Sequence, residues 1–270
     1  MRSPNSGLPA GQAVALGALH GPAELLPISS SAHTATIPWL FGWRYSELDA
    51  ELRKSFEVAL HAGTALALAL VLRDELPHWR DRDAGVVIAA ACAPPALAGV
   101  ALERAIEARL GTPATIAAAL AAGSAAMAVA DRVPGRRTSH DAGARDGLWL
   151  GLAQSLALVP GVSRAGATLA AARLLGFEPA SAQRLSAQVG LPVLLGASAL
   201  KAIRLWRRGV EPTLAWSFAA GAGASFCSTL VFARRPRSRR LERLLPYASY
   251  RTALAALILI RLRRGSTARR

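Results

Sequence analysis

The sequence predicts an all-α, polytopic membrane protein: six transmembrane helices plus two re-entrant helical hairpins in an inverted-repeat arrangement. Three observations carry this expectation. Half of the 270 residues (52%) are apolar, and the mean hydropathy is +0.29. Charge is scarce at 18% yet lopsided, with 32 Lys and Arg against 17 Asp and Glu for a net +15. The arginines gather in short clusters between long uncharged runs, as in a chain that crosses a bilayer repeatedly. A disordered basic protein would lack the apolar half. A soluble nucleic-acid binder would carry its cations on amphipathic faces, so no nucleic-acid partner is expected.

The first apolar stretch, Gly11 to about Ile37, is broken before it can span by Pro22, Glu24, Pro27, a serine run and His33. Three spans follow, Ser55–Leu72, Ala84–Ala101 and Ala114–Ala130, each near the roughly 20 residues a bilayer demands. Their small residues (AAALAAGSAAMAVA) let backbones pack closely in lipid. A second stretch, Gly147 to Gly176, is interrupted by Pro160–Gly161–Val162–Ser163–Arg164. The last spans are Arg184–Ile203, Thr213–Ala233 and Pro246–Leu262. Unwound backbone at membrane depth survives only inside protein or beside a wet cavity, so both broken stretches read as hairpins and candidate sites.

The halves of this single membrane domain, about 8–130 and 146–262, look related. Aligning Pro27 with Pro160 sets LLPISSSA against LVPGVSRA, and HAGT around Gly63 faces QVGL around Gly190. Three spans per half is an odd number, which inverts the second half and puts a site at the midplane. One face then collects the links Arg73–Asp83, Asp131–Asp146, Arg173–Arg184 and Arg234–Arg243. Both termini share the other face with links around Arg44/Arg53, Arg104/Arg109 and Arg204–Arg208. A slight excess of Arg assigns the first face to the cytoplasm, against the pull of the tail RLRRGSTARR. Cys92 and Cys227 read as small core residues, and the N-terminus lacks the apolar block of a removed signal peptide.

His20, Glu24, Ser29, Ser30, Ser31 and His33 fall within one short stretch. Each would cost a few kcal/mol unpaired in lipid, which favours a polar pocket holding nucleophile, base and charged ligand. The plainer alternative is helix capping by Ser29–Ser31. His20 and Glu24, four apart, share a helical face. The second break supplies Ser163, Arg164, Gly166 and Thr168. An Arg at a helix start is an anion clamp, because its planar fork matches phosphate oxygens. The alternative is an Arg snorkelling to an interface. Glu57 and His61, again four apart, either line the same cavity or are incidental to their span.

These strings resemble a known family. ELLPISSSAH resembles the acidic-plus-serine motif of the undecaprenyl-diphosphatase (bacitracin-resistance protein) family, PGVSRAGAT its second motif, and SFEVALHAGTALAL its first span. The resemblance runs in order over nearly the whole chain. It implies a multi-pass phosphatase of the bacterial plasma membrane, with its site facing outward. The reaction is hydrolysis of undecaprenyl diphosphate to undecaprenyl phosphate, which recycles the lipid carrier of cell-wall synthesis and confers bacitracin resistance. The partners implied are a polyprenyl diphosphate lipid and the bilayer, with a homodimer left open.

The resemblance marks Glu24, Ser29, Ser30, His33 and Arg164 as catalytic, and beside them Ser163, Gly166, Thr168 and His20 are expected to bind the substrate. Arg164 with Ser163 would clamp phosphate, and Ser30 or a water would attack, with Ser29 as the nearest substitute. His33 would be base or leaving-group acid. Glu24 would either hold the family's divalent cation, Mg2+ or Ca2+, or orient His33. Three positions depart from the family pattern: His20 replaces a glutamate, Ala32 a glycine and Ala165 a serine. The first removes a hard oxygen ligand, for which imidazole is a poor substitute. The competing classes are a polyprenyl-phosphate flippase or transporter, since broken helices in inverted repeat are transporter architecture, and a binding-only paralogue. Phosphate release separates the enzyme from both.

Overall fold

The chain breaks at Pro27 and at Pro160–Gly161, but its helices run on through Pro22, Pro38, Pro94, Pro95 and Pro192. The computed structural model describes residues 7–73, 82–208, 212–234 and 241–267. Among the described residues the structure is all-helical, with one isolated bridge between Arg137 and Phe177. Helix α1 (Ala10–Leu25) ends just before Pro27, and α2 (Ser30–Phe41) begins at the cap Ser29, whose hydroxyl accepts from Ala32 N–H. Helix α3 (Ala50–Val71) starts at Asp49, capping Leu52 N–H, and α5 (Pro113–Ala130) at Thr112, capping Thr115 N–H; α4 is Arg82–Leu110. Helix α6 (Ala144–Ser155) runs into a 3-10 turn, Leu156–Leu158, and the chain breaks at Pro160–Gly161. Gly161 takes φ +102°, a backbone region that side chains resist. Helix α7 (Arg164–Leu174) follows with Ser163 as cap, then α8 (Pro179–Arg208), α9 (Pro212–Ala233) and α10 (Leu245–Thr267).

The two broken stretches are thus the pairs α1–α2 and α6–α7. At 16, 12, 12 and 11 residues, and about 1.5 Å of rise per residue, each arm is too short for a bilayer core of roughly 30 Å. Caps Ser29 and Ser163 put the two helix starts in register, one residue away from the Pro27/Pro160 alignment. The six expected spans fall inside α3, α4, α5, α8, α9 and α10. Four described helices are long and apolar enough to cross a membrane: Ala50–Val71, Asp83–Leu102, Pro113–Ala130 and Leu214–Ala233. Helices α8 and α10 have the length, at 30 and 23 residues, but their sequences carry arginines within and at their ends. Large apolar side chains point outward, with Leu97 at 72%, Val100 at 85% and Trp216 at 75% exposure. A water-soluble surface of that kind would aggregate; a lipid-facing one is ordinary.

Packing pairs the elements across the halves. Helix α1 packs mainly on α9, and α6 mainly on α4; α5 pairs with α10, and α3 packs mainly on α9 and less extensively on α8. Glycines make the first two contacts close: Gly17 and Gly21 meet the α9 backbone, and Gly147 and Gly151 meet carbonyls of Val87 and Ala91 on α4. At one end, Arg136 and Arg137 N–H both donate to Gly176 O, and Asp131 caps Leu244 N–H at 2.8 Å. Two of the four links assigned to one face therefore meet there, beside the start of α10. At the opposite end Leu8, Tyr45 and Leu214 share one apolar cluster. The Arg73–Asp83 and Arg234–Arg243 links lie largely outside the described residues. Cys227 corrects the core expectation: it is exposed on α9, and Cys92 is half-buried in a cavity wall. In lipid an apolar run need not be a buried one.

Candidate active site

Helix α1 carries Glu24 in its last turn, next to the break, and α2 presents three serines in its first. Ser29, the cap, takes φ +75°, the one described non-glycine residue at positive φ. That backbone costs on the order of 1 kcal/mol, and it places Ser29 Oγ 3.2 Å from Ser31 Oγ. Ser30 Oγ donates to Glu24 Oε2 at 2.6 Å. From the other hairpin, Arg164 donates to Glu24 Oε1 through Nε at 3.3 Å and Nη2 at 3.1 Å. Gly161 N–H donates to Ser31 Oγ at 3.4 Å. The two breaks therefore meet, and one buried carboxylate joins them. The reach of Arg164 depends on Gly190 of α8, where a methyl group would collide with Nη1.

These groups form the polar end of a cavity of about 490 Å3. Its wall beyond them is apolar, with Pro95, Val100, Leu158, Leu194 and Leu200 among the lining residues. Helices α4 and α8 line it around and beyond their midpoints, away from the Arg137–Gly176 end. A charged head with an apolar surface leading from it suits an amphiphile with an anionic group and a hydrocarbon tail.

Of the residues singled out in the sequence, Glu24, Ser29, Ser30, Ser31, Ser163 and Arg164 line the cavity. His33 stands outside that lining. Its Nδ1–H donates to Ser29 O at 2.7 Å, so Nε2 of the neutral ring accepts from Tyr250 O–H at 2.7 Å. Gly166 N–H donates to Ser163 Oγ, and Thr168 Oγ1 to Arg164 O, both being contacts internal to α7. His20 is 1% exposed and lies behind Glu24, stacked edge-on against His61. His61 does reach the cavity, with Nε2 3.9 Å from Glu24 Oε2. Glu57 instead accepts from Thr34 Oγ1 at 3.3 Å.

Sequence reasoning missed Arg251. It is 1% exposed on α10, and donates to Pro27 O (3.2 Å), Gly161 O (3.2 Å) and Leu120 O (3.5 Å). One guanidinium thus holds both hairpin breaks through carbonyls that the unwound chain leaves open. The signal was available: an Arg in mid-span has to answer to something polar.

Residues 13–257 match the family model for the bacitracin resistance protein BacA. The chain belongs to the BacA family. Among its relatives are undecaprenyl-diphosphatases of Geobacter metallireducens, 39% identical over 79% of this chain and 83% of the relative, and of Geobacter sulfurreducens, 37% identical over 92% and 96%. That of Moorella thermoacetica is 35% identical over 92% and 95%. In this BacA-family chain Glu24, Ser29, Ser30, Ser163 and Arg164 are the expected site residues that come together at the two breaks, whereas His20, His33, Gly166 and Thr168 lie outside the cavity lining.

The Mg2+ or Ca2+ that the resemblance implies needs several hard oxygen donors. The described groups that could converge on an ion at this site are two imidazoles and one carboxylate, His20, His61 and Glu24. This donor set does not fit Mg2+ or Ca2+.

Proposed function

We propose that this chain hydrolyses undecaprenyl diphosphate to undecaprenyl phosphate and inorganic phosphate, the activity for which its relatives are named, through a serine nucleophile. It thereby regenerates the lipid carrier of cell-wall synthesis and confers bacitracin resistance. The observation that carries the mechanism is the Ser30–Glu24–Arg164 chain at the polar end of the cavity. The prenyl tail lies along the apolar wall and the diphosphate at the hairpin breaks.

The substrate head carries more negative charge than a carboxylate, so it draws Arg164 from Glu24 onto the terminal phosphoryl oxygens. Glu24, released, takes the proton of Ser30 as Oγ attacks the terminal phosphorus. The anhydride P–O bond breaks, and undecaprenyl phosphate leaves with its electron pair and recovers the proton. Water then attacks the phosphoserine, its proton passing to Glu24 and on to the departing Ser30 oxygen. His33 positions this machinery rather than reacting: bonded to Ser29 O and to Tyr250, it holds the strained first turn of α2.

The finer architecture is the six spans with two re-entrant hairpins in inverted repeat. It is supported by the exchange of partners, α1 on α9 against α6 on α4. It is supported too by pairing of like elements, α5 with α10 and α3 with α8. With the Arg137 face in the cytoplasm, the cavity lies in the outer half of the membrane and the site faces outward.

The test is phosphate release from undecaprenyl diphosphate by purified protein, with acid quenching to trap the intermediate. Release together with a phosphorylated Ser30 peptide is expected. Release without any phosphoprotein, even in single turnover, would hand attack to water. Transport without release would overturn the phosphatase reading itself.

A further inference from the structure

We propose that His20, Glu24 and His61 form a binding site for a borderline divalent ion of the zinc class, in place of the hard-ion site implied for relatives. The proposal deepens the phosphatase reading of the same pocket and rests on it for the ion's use, not for its binding. Four observations support it. The ligand atoms of the three residues lie within 4.8 Å of one another. In a zinc site, donors at roughly 2.0–2.2 Å from the metal stand about 3.4 Å apart, so modest rotations close the set.

The second observation is the tautomer of His20. Ser225 Oγ donates to Leu60 O at 2.9 Å, so the 2.8 Å contact between Thr64 and Ser225 has Thr64 as donor. The 3.0 Å contact between His20 Nδ1 and Thr64 Oγ1 must then be donated by the ring. Nε2 is left with a lone pair, and that atom is buried with no hydrogen-bond partner. A buried lone pair without a partner is an expense that folding ordinarily avoids.

Third, His61 is set the same way. Its Nδ1–H donates to Glu57 O at 2.8 Å, which leaves Nε2 as the nitrogen facing Glu24. Ligating histidines are typically held by such an outer hydrogen bond through the second nitrogen. Fourth, two imidazoles with one carboxylate select zinc-class ions over Mg2+ or Ca2+. Ser30 Oγ, 2.6 Å from the same carboxylate oxygen, lies beside the ion.

The experiment uses the full chain, purified in detergent, stripped with chelator and titrated with Co2+ as a visible probe. Binding of one Co2+ per chain is expected, with d–d bands of imidazole coordination. Micromolar Zn2+ should displace it, and millimolar Mg2+ or Ca2+ should not. His20→Ala and His61→Ala should each weaken Co2+ binding by about 100-fold or more, beyond the 10–100-fold effect of losing an outer partner. H20E should let millimolar Mg2+ compete.

Absence of a stoichiometric Co2+ site overturns the proposal. So does equal displacement by Mg2+, or a His61→Ala protein that binds as wild type. If the alanine variants do not fold, the displacement series on wild type decides alone. Co2+ binding without phosphate release sinks the proposed function and leaves the site standing. Release by metal-free protein that binds no Co2+ does the reverse.

Discussion

At 2.6 Å the Ser30–Glu24 contact is short enough to be the path along which a proton leaves the hydroxyl. Ser30→Ala should therefore lower kcat by roughly a thousandfold or more while the protein still inserts and melts as before, read by phosphate release and a thermal melt. A fall of tenfold or less would move the nucleophile elsewhere. Gly190 offers a sharper probe of position. A methyl there meets only the tip of the Arg164 side chain, so stability should scarcely change. The guanidinium must shift, however, and misplacement by about 1 Å can cost on the order of a hundredfold. Gly190→Ala should thus lose about 10- to 100-fold in kcat, with a melting temperature within a few degrees of wild type. Unchanged turnover would show that Arg164 need not stand where it does. Glu24, Ser29, Ser30 and Arg164 were legible as site residues because polar groups inside apolar runs demand a reason. His61 was legible only as one of two readings, and Arg251 was not, since its partners come from elements far away in the chain.

Helices α2, α3, α5 and α7 begin where a Ser, Asp or Thr accepts a backbone N–H, and α6 where a link ties the entering chain down. The link before α6 shows how. Arg137 forms a bidentate pair with Asp146 at 2.8 Å for both bonds, also donates to Leu175 O and Asp141 O, and lies 4.2 Å over the Phe177 ring. The Arg137 hydrogen bonds hold the Asp146 carboxyl below the usual carboxylate range. Its stabilisation is accordingly full above the unfolded value of about 3.9 and fades as pH falls through the lower folded value. For this partly exposed pair about 1 kcal/mol is expected. Asp146→Asn should lower the melting temperature by roughly 2–4 °C, equally at pH 6 and pH 8, the gap closing only below about pH 4. A gap that varied between pH 6 and 8 would assign the effect to another group.

At the scale of the molecule, α10 decides whether the two hairpins stay together. Arg251→Met leaves the buried carbonyls of Pro27 and Gly161 without their side-chain donor, whereas Leu120 O keeps Ser124 Oγ at 2.7 Å. At about 1–3 kcal/mol for each unsatisfied group, the loss should be roughly 2 kcal/mol or more. A thermal melt in detergent would show it, and a shift under 1 kcal/mol would deny the staple. Sidedness is also open to test. His140 and Glu47 are exposed on links at opposite ends of the bundle. In intact cells an impermeant thiol reagent should label Glu47→Cys and spare His140→Cys. The reverse pattern would turn the molecule over, and the outward-facing site with it.

Sequence alone determined the helical class, the six apolar stretches, the two breaks and most of the pocket's polar residues. These follow from local rules: apolar length, Pro and Gly at the breaks, Ser as cap, and the cost of a charge in lipid. Only the tertiary structure decided which of those polar groups face the same cavity. It turned His33 to Tyr250, brought Arg164 onto Glu24 across 140 residues, and set His61 against His20. It also found the shared donor of both breaks in Arg251. The physical reason is that a hydrogen bond depends on where backbones approach in space. In this chain that approach is set by small residues on helices that lie far apart in sequence.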